Sequence, residues 1–396
     1  MKAVLVFALA LSFRWLLDQT PYAEYLKNFE FAILQSALRS DFAVAQPLSD
    51  KDKFIVPAVI DISPIPFDRD KPTDRSMLEE LVNKLENMNA MAIGIDIDFS
   101  PDDRGDFITD RDPVLFDRWS KIGNIRIGVS RREGDPSYTW LGHRQFTPLA
   151  AGMMLPAGEA GYARLFGALS LQPMVGGRGG ASLRQLPCAL YGIVHGPDAA
   201  PCEPGEARGQ HLATRFPIDY SLLGVIQYLR YNGQPKILDV WSEEIDRRAI
   251  LIGDLRDNGD SRSIPGFDRP VAGVMIHAAA LATLNRGLLR YVDHRESLLY
   301  EFGLFALVVA IGLAAPFTIR SSPGERMDEN AVEILSSIAA ALAVLAVSFL
   351  FLRRTRIFWP DFLWIAGAFL LHPYVGRVVG VLWKGTRAFL VGATKG

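Results

Sequence analysis

Two long apolar runs without a single charged residue constrain this chain more than any other feature of its sequence. They occupy residues 302–319 and 334–352, near the C-terminus. An α-helix rises 1.5 Å per residue, so about 20 apolar residues cross a hydrocarbon core of about 30 Å. A water-soluble fold rarely contains two such helices side by side in sequence. Both runs therefore predict transmembrane helices.

Two weaker apolar segments extend this pattern. Residues 357–375 contain Asp361 and His372, but aromatic side chains lie near both ends, as in segments that meet the membrane interface. We interpret them as a third C-terminal span, with a re-entrant or surface-lying helix as the alternative. Within residues 1–17, residues 3–13 form an apolar run that Arg14 interrupts, and no small-residue cleavage pattern follows. This favours an uncleaved anchor over a cleaved signal peptide.

These segments divide the chain into four parts. We expect an N-terminal membrane anchor, a large extracytoplasmic domain, three C-terminal transmembrane helices and a short basic cytoplasmic tail. The boundaries are 1–17, 18–296, 297–376 and 377–396. The tail alternates apolar and basic residues, so it is either an amphipathic helix on the inner leaflet or a solvated tail.

Loop charges give an orientation, because lysine and arginine are enriched in cytoplasmic loops. Lys2 precedes the first span, and the tail contains four basic residues and no acidic one. Four spans with both ends inside agree with these charges. Three arginines in the predicted outer loop disagree with them: Arg353, Arg354 and Arg356.

The overall charge excludes one class of partner. The formal net charge is −2, and no basic stripe runs along any segment outside the tail. Proteins that bind nucleic acid present such a stripe to the phosphate backbone. We therefore expect no nucleic-acid partner.

The chain has only two cysteines, Cys188 and Cys202. Their spacing suits a disulfide that closes a short loop, which an oxidising compartment permits. The alternative is two unrelated thiols, one buried on a helix and one in a loop rich in proline and glycine. The sequence alone does not decide between them.

The first half of the large domain shows a strand–helix–strand pattern. Residues 54–62 and 90–99 are continuous apolar runs, as in strands buried on both faces of a sheet. Between them, residues 75–88 repeat apolar side chains at helical spacing, with Thr73 as the expected N-cap. A strand, a helix and a second strand in this order predict a βαβ unit with parallel strands.

The remaining elements extend this pattern into an α/β fold with a mainly parallel sheet. We expect the helix over 182–194 to be kinked at Pro187. The other predicted strands are 125–129, 216–220 and 249–253, and the other predicted helices are 113–122 and 273–284.

Four aspartates end or follow predicted strands: Asp61, Asp96, Asp98 and Asp254. In an open parallel sheet, ligands bind in the crevice beyond the carboxyl ends of the strands. Carboxylates there can bind a divalent cation or transfer protons, and His277, on the helix after the last strand, is placed to join them. In the alternative interpretation, the aspartates accept hydrogen bonds from loop amides and His277 packs in the core. These five residues are the candidate ligand-binding set.

Sequence motifs of catalysis do not accompany these residues. The 396 residues contain no nucleophile elbow, P-loop, dinucleotide-binding fingerprint or H-E-x-x-H motif. The glycine-rich run at 176–180 does not connect an apolar strand to a helix, as a phosphate-binding loop does. We therefore expect no enzymatic activity, no bound metal and no cofactor.

Several segments in this order resemble the CHASE2 domain, an extracytoplasmic sensor module of bacterial signalling receptors. The matching segments are VIDI at 59–62, AIGIDIDFSPDD at 92–103, FPIDYS at 216–221, AILIGD at 249–254 and GVMIHAAALATLNRG at 273–287. Three hydrophobic spans directly after the domain are also typical of this family. The resemblance implies a protein of the bacterial inner membrane with its large domain on the periplasmic side.

The family's receptors pass a signal through the membrane to an output domain, commonly a histidine kinase or a nucleotide cyclase. This sequence shows no motif of such a domain. The resemblance therefore implies a sensor that relays its signal through its transmembrane helices to a separate effector, as a homo- or hetero-oligomer. The alternative is a structural subunit of a larger membrane complex.

Overall fold

The computed structural model describes the core of the large domain and parts of the predicted membrane segments. The described residues are 15, 20, 29–30, 33, 56–65, 73–97, 99, 109–129, 149–152, 169–170, 174–175, 182–183, 185–196, 215–216, 218–256, 261–262, 264, 267, 269–286, 290–291, 299–300, 302–303, 306, 329–355, 357–358 and 362–370.

The large domain contains ten described strands and five described helices. The strands are β1 (Ala58–Asp61), β2 (Ala92–Ile95), β3 (Ile125–Val129), β4 (Ala150–Gly152), β5 (Leu169–Ser170), β6 (Met174–Val175), β7 (Ser182–Leu183), β8 (Arg215–Phe216), β9 (Tyr228–Arg230) and β10 (Ala249–Gly253). The helices are α1 (Arg75–Asn87), α2 (Asp112–Ile122), α3 (Leu186–His195), α4 (Ser242–Ile245) and α5 (Gly273–Arg286). Two 3₁₀ segments, Tyr220–Gly224 and Pro235–Trp241, flank β9.

Six of these strands form one sheet in the order β4-β3-β2-β10-β1-β9. All five neighbouring pairs are parallel. Parallel strands are covered on both faces, and β1, β2 and β10 are accordingly buried at every position. The expectation of an α/β domain with a mainly parallel sheet is confirmed.

Helices cover both faces of the sheet. Alternate strand residues, such as Ile93 and Ile250, pack into a core with Leu78 of α1 and Trp119 of α2. The intervening residues face α3 and α5, because Gly94 approaches Leu190 and Gly253 approaches Val274. The domain therefore has three layers, with α1 and α2 on one face and α3 and α5 on the other.

The face of the sheet on which the following helix packs changes at β10. The helices that follow β1 and β2 lie on one face of the sheet, whereas α5, which follows β10, lies on the other. Because β10 lies between β1 and β2, the connections diverge at its carboxyl end. Such a divergence opens a crevice at the carboxyl edge of a doubly wound sheet.

Helix starts differ from the sequence expectation at two places. Asp74, not Thr73, caps α1, because its carboxylate accepts hydrogen bonds from the backbone N–H groups of Ser76 and Met77. Pro187 does not kink α3, which begins at Leu186. A proline in the first turn has no intrahelical hydrogen bond to lose, so it starts this helix.

The predicted strand over 216–220 is also wrong. Only β8 is extended there, and a 3₁₀ turn begins at Tyr220. The carboxylate of Asp219 accepts a hydrogen bond from the N–H of Ser221, which favours a turn over an extended chain. The short edge strand β9 was missed, because three residues are too few to show a periodicity.

Residues 1–34 and 290–396, which contain the predicted membrane segments, form a unit of their own. Its described elements are α6 (Glu329–Thr355) and the parallel two-residue strands β11 (Arg290–Tyr291) and β12 (Ile357–Phe358). Residues 362–370 are helical. Within the described residues, one helix is long and apolar enough to cross a membrane, over Ile334–Leu352.

The other predicted spans stay predictions. The anchor at 1–17 lies almost entirely outside the described residues, as does most of the span at 302–319. The third C-terminal span at 357–375 begins as β12 and contains a described helix over 362–370.

Candidate ligand-binding site

Three of the predicted aspartates lie at the carboxyl edge of the sheet, on neighbouring strands. Asp61 ends β1, Asp254 follows β10, and Asp96 follows β2. The backbone N–H of Asp96 donates to the carbonyl of Ile252 at 2.8 Å, which extends the ladder up to the aspartate. The structure thus brings these three strand ends together. Asp98 lies outside the described residues.

Asp61 is fully buried and accepts hydrogen bonds from its own loop and from the neighbouring one. Its carboxylate accepts from the N–H and Oγ of Ser63, at 2.9 and 2.8 Å, and from the N–H of Leu255 at 3.2 Å. The Nε of Arg230, on β9, lies 3.7 Å from its Oδ2. Asp61 therefore joins the loops after β1 and β10 and lies against the arginine that ends β9.

Asp254 is engaged by a residue of its own loop. Its carboxylate accepts from the backbone N–H of Arg256 at 2.8 Å and from the Nε of the same residue at 2.9 and 3.0 Å. The hydrogen bond with Asp254 raises the pKa of the Arg256 guanidinium. This pair shapes the loop after β10, which also supplies Leu255 to Asp61.

Asp96 and His277 approach each other in the interior. The Nε2 of His277 lies 3.7 Å from the Oδ1 of Asp96, and each side chain is 5% exposed. Burial raises the pKa of Asp96 to about 7. At 3.7 Å the separation exceeds that of a good hydrogen bond.

Among the described residues, no three histidine, cysteine, aspartate or glutamate side chains are grouped closely enough to bind a metal ion. The loop after β10 contacts both Asp61, through the N–H of Leu255, and Asp254, through Arg256, whereas Asp96 faces His277. The described members of the set therefore form two groups.

An open groove lies at the same edge, next to Asp61. Its volume is about 520 Å³, and its charged lining residues are Arg230 and Arg269. Tyr228 adds a phenol from β9, and Ala272 lies just before α5. The groove is also lined by apolar side chains from four segments: Leu223, Leu255, Phe267, Pro270, Val271 and Met275. We call this the arginine groove.

Sequence reasoning missed the arginine groove. Arg230 is the last residue of a three-residue strand, and Arg269 lies in a loop that an isolated bridge between Arg262 and Val271 closes. Neither arginine belongs to a recognisable motif. The available signal was Asp61, because a buried carboxylate at a strand end predicts a basic partner nearby.

Cys188, on α3, is buried and disulfide-bonded. Cys202 lies outside the described residues. The pairing of these two cysteines therefore stays a prediction, although the chain contains no other cysteine.

Comparison with known proteins agrees with the sequence resemblance. The sequence profile of the CHASE2 domain matches residues 4–316. No curated protein and no solved structure matches the chain. The match covers the described α/β domain from β1 to α5 and continues past residue 302, where the first C-terminal apolar run begins. On this match, the chain belongs to the CHASE2 domain family.

Proposed function

We propose that the chain is a membrane-anchored extracytoplasmic sensor that relays its signal through transmembrane helices to a separate effector protein. CHASE2 domains are extracytoplasmic sensor modules, and the match over residues 4–316 is the observation that carries the proposal. The groove at the carboxyl edge of the sheet supports it, because ligands of open α/β sheets bind there.

The surface of α6 supports a membrane location. Its apolar stretch Ile334–Leu352 has a mean hydropathy of 2.5. Large apolar side chains point outward, among them Leu335, Leu342 and Leu350, which are more than half exposed. A water-soluble protein rarely exposes so continuous an apolar surface. Lipid is the environment that covers such a helix over its whole length.

The pairing of β11 with β12 supports two crossings between them. Arg290 pairs with Ile357, and Tyr291 pairs with Phe358. These residues therefore lie on the same side of the membrane, so an even number of spans separates them. If α6 crosses once, the apolar run at 302–319 supplies the second crossing. We place Arg354 and Ile357 on the outer side with the α/β domain, despite the three arginines in this loop.

Glu30 supports the same arrangement from the N-terminal side. Its buried carboxylate accepts a hydrogen bond at 2.9 Å from the backbone N–H of Leu363, near the start of the helix over 362–370. Glu30 follows the predicted anchor, and Leu363 follows β12. Both residues then lie at the outer interface, and a fourth span returns the C-terminal tail to the cytoplasm.

Helix α5 connects the sensory edge to the membrane segments along the sequence. It begins at Gly273, directly after Ala272 of the arginine groove, and ends at Arg286, four residues before β11. Its 14 residues span about 21 Å at the helical rise. We propose that a change at the start of α5 is passed along this helix into the first C-terminal span.

We propose that the carboxylates at the sheet edge stabilise the loops and take part in ligand sensing, and that they are not catalytic. Asp61 and Asp254 accept hydrogen bonds from loop N–H groups and arginines, which fixes their orientation. A general base needs a free oxygen directed at a substrate. Loss of an activity in Asp61→Asn would contradict this assignment.

Photocrosslinking in bacterial membranes tests the relay to an effector. A photoreactive amino acid at Leu342, which is 60% exposed on α6, is expected to crosslink one effector protein with a cytoplasmic kinase or cyclase domain. The matched control is Val114, which is 69% exposed on α2 of the large domain and should not crosslink that protein. Crosslinks from Leu342 only to lipid or to a second copy of the chain would contradict the relay. Crosslinks to a set of unrelated enzymes would favour a structural subunit.

A further inference from the structure

We propose that the arginine groove binds a small organic anion with an apolar body, and that this anion is the ligand of the sensor domain. The inference rests on the proposed sensor function and adds to it the chemical class of the signal. It depends on the charges, the shape and the position of the groove.

The charged groups of the groove favour an anion. Arg230 and Arg269 line it, and none of its other lining residues in the described part of the chain is charged. Arg230 is 73% exposed, and its Nε faces Asp61, so its terminal nitrogens remain available to a ligand. Asp61 is itself 1% exposed and lies beneath the surface of the groove.

Arg269 supplies a positive charge that no described acidic side chain pairs with. Among the described residues, no acidic group lies within ion-pair distance of Arg269, whereas Arg230 faces Asp61 and Arg256 faces Asp254. The charges within each of these two acid–base pairs cancel, so the positive charge of Arg269 remains. Helix α5 begins next to the groove, and the partial positive charge of its N-terminus acts in the same direction.

The walls of the groove favour an apolar body on the anion. Phe267, Leu255 and Met275 are half-buried and leave part of their apolar surface open. A hydrated inorganic ion would leave this surface in contact with water. An organic acid covers it and places its carboxylate between the arginines, where charge-assisted hydrogen bonds form. The volume of about 520 Å³ lies within the range of small-molecule sites.

The position of the groove explains how such a ligand would be sensed. Its lining joins the edge strand β9, through Arg230, to the start of α5, through Ala272 and Met275. A ligand that bridges Arg230 and Arg269 would draw the loop before α5 towards the sheet. The proposed relay begins at this helix.

Equilibrium dialysis of the full chain in phosphatidylcholine nanodiscs tests the inference. The probe is 1-naphthoate, an aromatic acid that fluoresces, and the matched neutral probe is 1-naphthalenemethanol. Empty nanodiscs correct for partition into lipid. We expect saturable binding of 1-naphthoate and at least about tenfold weaker binding of the alcohol, as expected for loss of a charged hydrogen bond.

Arginine variants locate the binding. R269Q and R230Q are each expected to weaken 1-naphthoate binding by about tenfold. R269Q is the cleaner test, because Arg269 is exposed and has no ion-pair partner among the described residues, so we expect its loss to leave the fold unchanged. The control is R118Q, on α2, which removes an exposed arginine far from the groove in sequence and should bind like the wild type.

Three outcomes would overturn the inference. They are 1-naphthoate binding no greater than that of empty nanodiscs, equal binding of the acid and the alcohol, and unchanged binding in both R230Q and R269Q. The photocrosslinking from Leu342 uses no ligand. A negative dialysis with a positive crosslink would therefore remove the ligand class and leave the relay standing.

Discussion

At the residue scale, three aspartates lie at the ends of neighbouring strands, but each has different surroundings. Asp61 binds loop N–H groups, and Asp254 binds Arg256. Asp96 instead lies 3.7 Å from His277 in a buried position that raises its pKa to about 7. The charge of Asp96 therefore changes near neutral pH.

The raised pKa of Asp96 predicts a pH-dependent stability. Its ordinary value is 3.8 and its folded value about 7, so between these values the folded protein retains a proton that the unfolded chain has released. The stabilisation is complete below about pH 4 and is lost as the pH rises to about 7. Relative to Asp96→Asn, the wild type should lose about 4 kcal/mol of unfolding free energy across this window.

Urea unfolding of the full chain at several pH values checks this prediction. His277 faces Asp96 at 3.7 Å, so both forms of residue 96 are also measured with His277→Gln, which removes the titration of the histidine. Parallel stability profiles for the wild type and Asp96→Asn would show that the burial of Asp96 has no such effect.

At the scale of elements, β10 and α5 meet without space for a side chain. A Cβ at Gly253 would lie 2.7 Å from the Cβ of Val274. A Cβ at Gly94 would also meet an atom at 2.7 Å, but that atom is the Cδ1 of Leu190, at the end of a flexible side chain. An added Cβ would therefore meet its nearest atom at the same distance at both glycines. The neighbour of Gly94 can move more easily than the neighbour of Gly253.

This difference predicts unequal costs for the same substitution. Gly253→Ala should destabilise the domain by about 2 kcal/mol, because α5 must shift away from the sheet. Gly94→Ala should cost less than about 1 kcal/mol, because Leu190 can change rotamer. Urea unfolding of both variants measures the difference, and equal midpoints would show that α5 adjusts as easily as a side chain.

The pairing of β11 with β12 predicts which loops face outward. In a variant with Cys188 and Cys202 replaced by serine, Arg354→Cys should react with a membrane-impermeant maleimide on spheroplasts. Lys384→Cys, in the tail, should react only after the membrane is permeabilised. Labelling of position 384 in intact spheroplasts, or protection of position 354, would contradict the four-span arrangement.

The sequence predicted elements well where an apolar run alone decides the structure. Strands at 125–129 and 249–253 appear with those bounds, because a parallel sheet needs residues that can be buried on both faces. The prediction from sequence was wrong where a single side chain determines the local structure. Asp219 favours a turn over a predicted strand, and Pro187 starts a helix that it was expected to kink.

The candidate site follows the same rule. Strand ends placed Asp61, Asp96 and Asp254 at one edge, and the structure agrees. Their individual partners depend on loop geometry that spacing does not contain. The arginine groove was missed because Arg230 and Arg269 meet only in the folded chain.

At the scale of the whole molecule, an extracytoplasmic location predicts an oxidised domain. Cys188 is disulfide-bonded, and disulfides persist in oxidising compartments. We expect peptide mapping without reduction to find Cys188 linked to Cys202. A loop of about 15 residues gives about 3 kcal/mol of stabilisation, so Cys188→Ser should lower the stability by about that amount. Free thiols on the protein isolated from native membranes would contradict the pairing.

The short ladder between β11 and β12 has a mechanical consequence. In the proposed topology, it joins the segment before the first C-terminal span to the segment after α6, so the outer ends of these two spans cannot change height relative to each other while the ladder is intact. A piston movement of one span alone is then resisted. We expect a displacement that arrives at Arg290 to tilt both spans together about their outer ends, with the largest movement at the loop between them on the opposite side of the membrane.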